Sequence, residues 1–255
     1  MNITNAETEV ITGDKLEAIF NRQKELMAKY HPIEVSIGLV QTEDCPVNLH
    51  DKRGQARLKD FAWRATEEVA EAMEAVPVLN NLADSLSQLR PAQFDNDSKA
   101  FMDRHNEIVK SLEENMLHFQ EELVDALHFL TEFTILSGIT PLQIFHIAAG
   151  CELAEDADTL NELYQYSNRE AVSISLSSTM ADFVTNLGLS CNCLKNKAWK
   201  QTSMLTDIPK FHTCVATTWV SFIRLLAAGG LNPESIADLY LKKSQVNAFR
   251  QRSNY

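Results

Sequence analysis

The stretch His118-Phe-Gln-Glu-Glu-Leu-Val-Asp-Ala-Leu-His-Phe-Leu130 decides how the chain is read. Leu123, Leu127 and Leu130 recur at helical spacing with Phe129 beside them, which predicts a helix burying a broad apolar face. Glu122 and Asp125 stand three apart in the same stretch, and positions i and i+3 project from nearly the same side of a helix. Carboxylates beside a core are costly unless something compensates them. A helical core with a cation at its edge is the simplest reconciliation.

A second stretch is built the same way. In Trp63–Ala75, "WRATEEVAEAMEA", Glu68 and Glu71 are three apart with Val69, Ala72 and Met73 alongside. Two such helices packed face to face pool four carboxylates, Glu68, Glu71, Glu122 and Asp125, which cannot all stay ionised without cations. Hard oxygen donors with no Cys or His in the set, and a shell left open for water and phosphate, favour Mg²⁺ over zinc. Either pair alone reads as a solvated helix edge. Two pairs, each bordering an apolar stripe, predict a metal site between two helices.

Outward from these segments the 3.6-residue period dominates. Only eight glycines and seven prolines punctuate the chain, and Ile33–Val40 ("IEVSIGLV") is the one strand candidate. The expected helices are Asp14–Tyr30, stopping near Pro32, and Leu58–Val76, ending at Pro77. Ser98–Leu117 and Glu121–Ser137 follow, then a helix opened by Pro141. Arg169–Leu187, Ile208–Ala228 and Pro233 to about Arg252 complete an all-α, multi-helix bundle. Two joints look alike: "SGITPLQIF" (Ser137–Phe145) and "GGLNPESIA" (Gly229–Ala237). They read as two ordinary helix–proline–helix turns. Were they copies, a shift of 92 residues would place Cys214 opposite Glu122 and Thr217 opposite Asp125, so the second copy would lack the acids.

The C-terminus carries the remaining chemistry. Lys243, Asn247 and Arg250 fall at i, i+4 and i+7, one line along a helix, offering an ammonium, an amide and a guanidinium to a polyphosphate. Cations there also complement the helix macrodipole, which is the plain structural reason for them. Trp63 could stack on a base, and Gln23 could read a pyrimidine edge with its two-faced amide. His128 reads as a structural histidine. No glycine-rich phosphate loop and no GxSxG nucleophile motif is present.

A net charge of −12 argues against a general nucleic-acid binder. The N-terminal residues show no apolar signal core, and no run is read as a membrane span, so a cytosolic location is expected, the host cytoplasm were the chain viral. Cys45, Cys151, Cys191, Cys193 and Cys214 are scattered. The Cys191/Cys193 pair lacks the second ligand pair a zinc site needs, so reduced thiols are expected.

Taken in order, these pieces resemble the all-α NTP pyrophosphatase superfamily, the MazG-like proteins and the dimeric dUTPases. Glu67-Glu68-Val-Ala-Glu71 resembles its first acidic motif, EExxE, and Glu122-Leu-Val-Asp125-Ala-Leu-His128-Phe129 its second, ExxD. "YLKKSQVNAFRQRSNY" (Tyr240–Tyr255) is similar to the terminal K-x-x-x-N-x-x-R-Q-x-x-G-Y of dimeric dUTPases and phage dCTP/dUTP pyrophosphatases, and Gln23-Lys-Glu-Leu26 to the branch's Q-x-x-L. The chain departs at Met27, where dUTPases carry a polar residue, and at Asn254, where they carry glycine. The resemblance implies Mg²⁺-dependent hydrolysis of dUTP and/or dCTP to the monophosphate and pyrophosphate, cleansing the nucleotide pool. Glu68, Glu71, Glu122 and Asp125 would be metal-holding and catalytic, Lys243, Asn247, Arg250 and Tyr255 would bind phosphate, and Gln23 and Trp63 base or sugar. It implies a homodimer, a catalytic core over residues 1–150, a helical insertion over 151–230 and a phosphate-binding helix over 231–255. The alternatives are a MazG-like house-cleaning enzyme for purine or modified nucleotides, and a non-catalytic helical interaction protein.

Overall fold

The computed structural model describes residues 2–38, 45–94, 97–169, 175–197 and 199–252. Eight α-helices appear among them: α1 (Lys15–Ser36), α2 (Lys52–Gln88), α3 (Ser98–Leu136), α4 (Pro141–Ala149), α5 (Thr159–Asn168), α6 (Leu176–Cys193), α7 (Ile208–Ala228) and α8 (Pro233–Arg252). Most begin at an oxygen-bearing cap. Asp14, Asp51, Asp97, Asp158, Ser175 and Asp207 each accept a backbone N–H of the first turn, and Thr140 closes a capping box with Gln143.

The fold is all-α, and no strand occurs among the described residues. Ile33–Ser36 belong to α1; Leu39 and Val40 lie outside the described residues. Both prolines expected to stop a helix lie inside one, Pro32 in α1 and Pro77 in α2. An internal proline costs about 3 kcal/mol, and contacts beyond each one offset it. Glu34 pairs with Arg57 at 3.4 Å, and Leu79 is buried. Ser98–Leu117 and Glu121–Ser137 are one helix, because residues 118–120 keep the same buried face through Phe119. The expected Arg169–Leu187 helix corresponds to α6, which starts at Leu176, whereas α5, ending at Asn168, has no counterpart among the expected helices; residues 170–174 lie outside the described residues.

Two antiparallel hairpins form the frame. α2 packs on α3 and α6 on α7, the second pair joined by Ser190–Thr218 and Asn186–Ser221 hydrogen bonds. α7 is, among the described residues, the one single helix long and apolar enough to cross a membrane. It serves here as a core helix, with Phe211, Trp219 and Phe222 fully buried. The Trp219 indole donates to Thr134 Oγ1 on α3 at 2.8 Å, tying the hairpins together.

The packing has an internal two-fold pattern. Exchanging α1–α4 for α5–α8 maps the principal helix–helix contacts onto one another: α2·α3 onto α6·α7, α1·α8 onto α5·α4, α3·α8 onto α7·α4, and α1·α3 onto α5·α7. The two similar joints match bond for bond. Ile139 N–H donates to Thr134 O, as Leu231 does to Leu226 O. Thr140 and Gln143 exchange hydrogen bonds as Asn232 and Ser235 do, and Gly138 and Gly230 take φ of 78° and 81°. The N-caps of α1 and α5 also serve each other. Asp14 accepts from Thr159 N at 2.8 Å, and Asp158 from Lys15 N at 3.3 Å.

Candidate active site

The acidic segments meet where α2 crosses the middle of α3. Val69 and Ala72 of α2, and Leu123 and Val124 of α3, are fully buried, so the neighbouring acids are held at the rim of the interface. Carboxylate oxygens of Glu68, Glu71 and Glu122 lie within 4.8 Å of one another. Burial, then the charges of Asp125, Glu71 and Glu122 and a hydrogen bond with Glu122, push the Glu68 carboxyl up to about 7. Glu122 Oε1 also lies 3.2 Å from His118 Nδ1. The cluster is short of positive charge, and its all-oxygen donor set suits a hard divalent cation such as Mg²⁺.

Asp125, the fourth acid of the expected quartet, is not in that group and is ion-paired instead. Its Oδ2 lies 2.6 Å from the Lys243 ammonium, which also reaches Glu121 at 3.8 Å. Lys243 is buried, with only 7% exposed, because α8 packs on α3. Burial raises the Asp125 carboxyl, against the pull of Lys243 and, further off, Arg250. Asn247 is half-buried on the turn between Lys243 and the exposed Arg250, whose charge also reaches Tyr30 of α1. Tyr255 lies outside the described residues. The α8 line thus runs from the carboxylates to open solvent.

Gln23 and Trp63 lie apart from this cluster. Gln23 is 5% exposed; its amide donates to Glu132 Oε2 at 2.9 Å and accepts from Tyr240 OH at 2.6 Å, with His128 Nδ1 at 2.9 Å. The His128 ring stacks on Tyr240 at 3.9 Å, and burial drives its imidazole down to about 3, so it stays neutral. Trp63 is exposed and donates to Glu67 Oε1 at 2.6 Å. It stands five residues before Glu68, about one and two-fifths turns, and so projects from another side of α2. Glu132 had no place in the sequence reading. It lies seven residues, about two turns, after Asp125, a spacing that could have flagged it, and burial pushes its carboxyl up to about 7.

Among known families, the one described as dUTPase matches residues 109–255, more than half of the chain. The match holds Glu122, Asp125, Lys243, Asn247 and Arg250, and it runs through residues 151–230, expected as a helical insertion. Glu68, Glu71, Gln23 and Trp63 precede it. No curated protein and no solved structure matches the chain.

Proposed function

The chain belongs to the dUTPase family, and on that premise we propose that it hydrolyses dUTP, with dCTP as the second pyrimidine candidate, to the monophosphate and pyrophosphate. The observation that carries the reading is the juxtaposition of the Glu68/Glu71/Glu122 cluster with the cationic line of α8, joined by the Asp125–Lys243 ion pair. Mg²⁺ held by Glu68, Glu71, Glu122 and Asp125 would neutralise triphosphate charge and polarise a phosphate oxygen.

The chain's own groups divide the remaining work. One carboxylate of this set acts as general base and takes a proton from the attacking water. Asp125 keeps the Lys243 ammonium in place, and Lys243, Asn247 and Arg250 neutralise charge developing on the leaving phosphates. Tyr255 is assigned to the same end of the substrate. Gln23, its amide fixed by Tyr240 and Glu132, supports the base side, and Trp63 offers an exposed ring to base or sugar. We assign residues 1–150 to the catalytic core, 151–230 to the second half that buttresses it, and 231–255 to phosphate binding. A homodimer is the proposed assembly, and sedimentation equilibrium checks it.

Purified protein with Mg²⁺ is offered dUTP, dCTP, dTTP, dGTP and dATP in parallel, and pyrophosphate release is measured. Fastest release from dUTP is expected, with near-total loss in Glu122→Ala. Failure to release pyrophosphate from any of the five sinks the reading.

A further inference from the structure

A cleft of about 540 Å³ opens between the first turns of α2 and the segment that follows α6. Lys52, Lys59, Lys195 and Lys197 line it, with Trp199 at its mouth. Lys59 precedes Glu68 by nine residues, about two and a half turns, so the cleft and the carboxylates occupy opposite sides of α2.

We propose that this cleft is a second, metal-independent nucleotide site, its lysines taking the phosphates and Trp199 stacking on the base. Acids outnumber bases 35 to 23 in this chain, yet none of the four lysines is ion-paired among the described residues. No Asp or Glu lines the cleft. The Lys59 proton affinity is lowered, first by burial and then by Lys197 and Lys195, so the ammonium groups repel one another and an anion between them would relieve that repulsion.

The wall is also built in advance. Buried Gln55 accepts from Asn196 N at 2.7 Å and donates to Leu49 O at 2.8 Å and Thr206 Oγ1 at 3.0 Å. The buried Asn196 side chain donates to His50 O and Met204 O and accepts from Met204 N. Lys59 itself donates to Leu194 O at 2.7 Å. Two buried amides thus pin the strap that presents Lys195, Lys197 and Trp199. Trp199 is 76% exposed, with the Lys197 ammonium 5.2 Å from its ring centre, so its other face is open to a base. The volume suits one nucleotide rather than a polymer track.

The test uses the whole protein in EDTA, with ADP as probe, a nucleotide whose base differs from that assigned to the acidic site. Saturable quenching of tryptophan fluorescence is expected, lost in Trp199→Phe and displaced by inorganic pyrophosphate. Lys195→Glu and Lys197→Glu, both on the surface strap, are each expected to weaken binding about tenfold or more. Absence of saturable binding, unchanged affinity in both charge reversals, or loss of binding in Lys243→Met overturns the proposal. A single-stranded oligonucleotide binding the same lysines more tightly than ADP would overturn it in favour of a nucleic-acid track. None of these outcomes depends on dUTP hydrolysis, so the two readings fail separately.

Discussion

The two halves of the molecule share a scaffold and differ where chemistry would be done. At the α2–α3 crossing Glu122 faces Glu68 and the two share a hydrogen bond. The 92-residue shift that superposes the joints places Cys214 at the position of Glu122, and across the α6–α7 crossing Cys214 faces Cys193, their sulfurs 3.8 Å apart. Asp125 corresponds to Thr217, which is exposed and donates to its own helix at Thr213 O. α8 runs 20 residues where α4 runs nine and stops at Gly150, with φ of 69°. Lys243 falls opposite Cys151, already past the end of α4. The part of α8 that α4 lacks is the part carrying Lys243, Asn247 and Arg250. One crossing gathers anions and the cations to manage them, and the other closes on thiols and hydroxyls. The scaffold therefore explains the packing, and only the substituted positions explain a site.

The sharpest way to break the comparison is to make matched changes in both halves. Glu68→Gln, which removes one carboxylate of the set that holds the metal and supplies the base, is expected to lower dUTP turnover by about 10²–10⁴. Cys193→Ala, across the other crossing, is expected to leave turnover within about twofold, on the order of the scatter expected at a position with no catalytic contact. Equal losses in steady-state assays would show that the thiol crossing also takes part. Lys243→Met tests the α8 extension. Removing one partner of a buried ion pair costs about 3–5 kcal/mol, read as a lower urea midpoint. Adding Asp125→Asn should restore much of the stability and none of the activity. Recovery of both would reduce the α8 line to packing.

Much of this was legible beforehand. The period of Leu123, Leu127 and Leu130, and the spacing of the two acidic pairs, are local properties and survived folding unchanged. So did α7 and α8, whose caps and prolines stand in the sequence. The errors at Pro32 and Pro77 have one cause: a proline's local cost is fixed, whereas the contacts that offset it, Glu34 with Arg57 and the burial of Leu79, come from elsewhere in the chain. The Asp125–Lys243 pair and the burial of Gln23 were illegible for the same reason, since each joins residues more than a hundred positions apart. The internal two-fold was visible only as two similar turns, because what it conserves is hydrogen bonding and packing rather than side-chain identity.

A pH-dependent difference comes next in size. Glu132 of α3 accepts from Gln23 of α1, and the corresponding position in α7 is Arg224, which donates to Ser167 O of α5 at 2.5 Å. The same helix contact is thus secured by an acid in one half and a base in the other. The Glu132 carboxyl has an ordinary value of 4.5 in the unfolded chain and is pushed up to about 7 by burial in the fold. Between those values the folded state holds the extra proton, so stability falls as pH rises through that window and stays lower above it. Glu132→Gln keeps an acceptor for Gln23 without the charge. It should stabilise the protein by about 1–3 kcal/mol at about pH 8 and by nothing measurable at about pH 4.5. A gain in Tm that does not change between these pH values would show that the carboxylate is already compensated.

The smallest expected effect sharpens the symmetry itself. Gly138 and Gly230 occupy the same left-handed position in the two joints, where a side chain costs about 1–2 kcal/mol through crowding with its own backbone. Alanine at each should therefore carry this shared cost, measured as a shift in urea midpoint. The surroundings differ, however. A Cβ at Gly138 would stand 3.2 Å from Pro46 Cβ, a ring with little room to turn, whereas one at Gly230 meets Gln120 Nε2 at an ordinary 3.5 Å. Gly138→Ala should then cost more than Gly230→Ala, by a few tenths to about 1 kcal/mol. Equal costs would mean that the Pro46 segment yields freely. A larger cost at Gly230 would mean that the joint beside the carboxylates is the more rigid of the two, with Gln120, which also donates to Gly229 O at 3.0 Å, holding α8 against α3 at the mouth of the site.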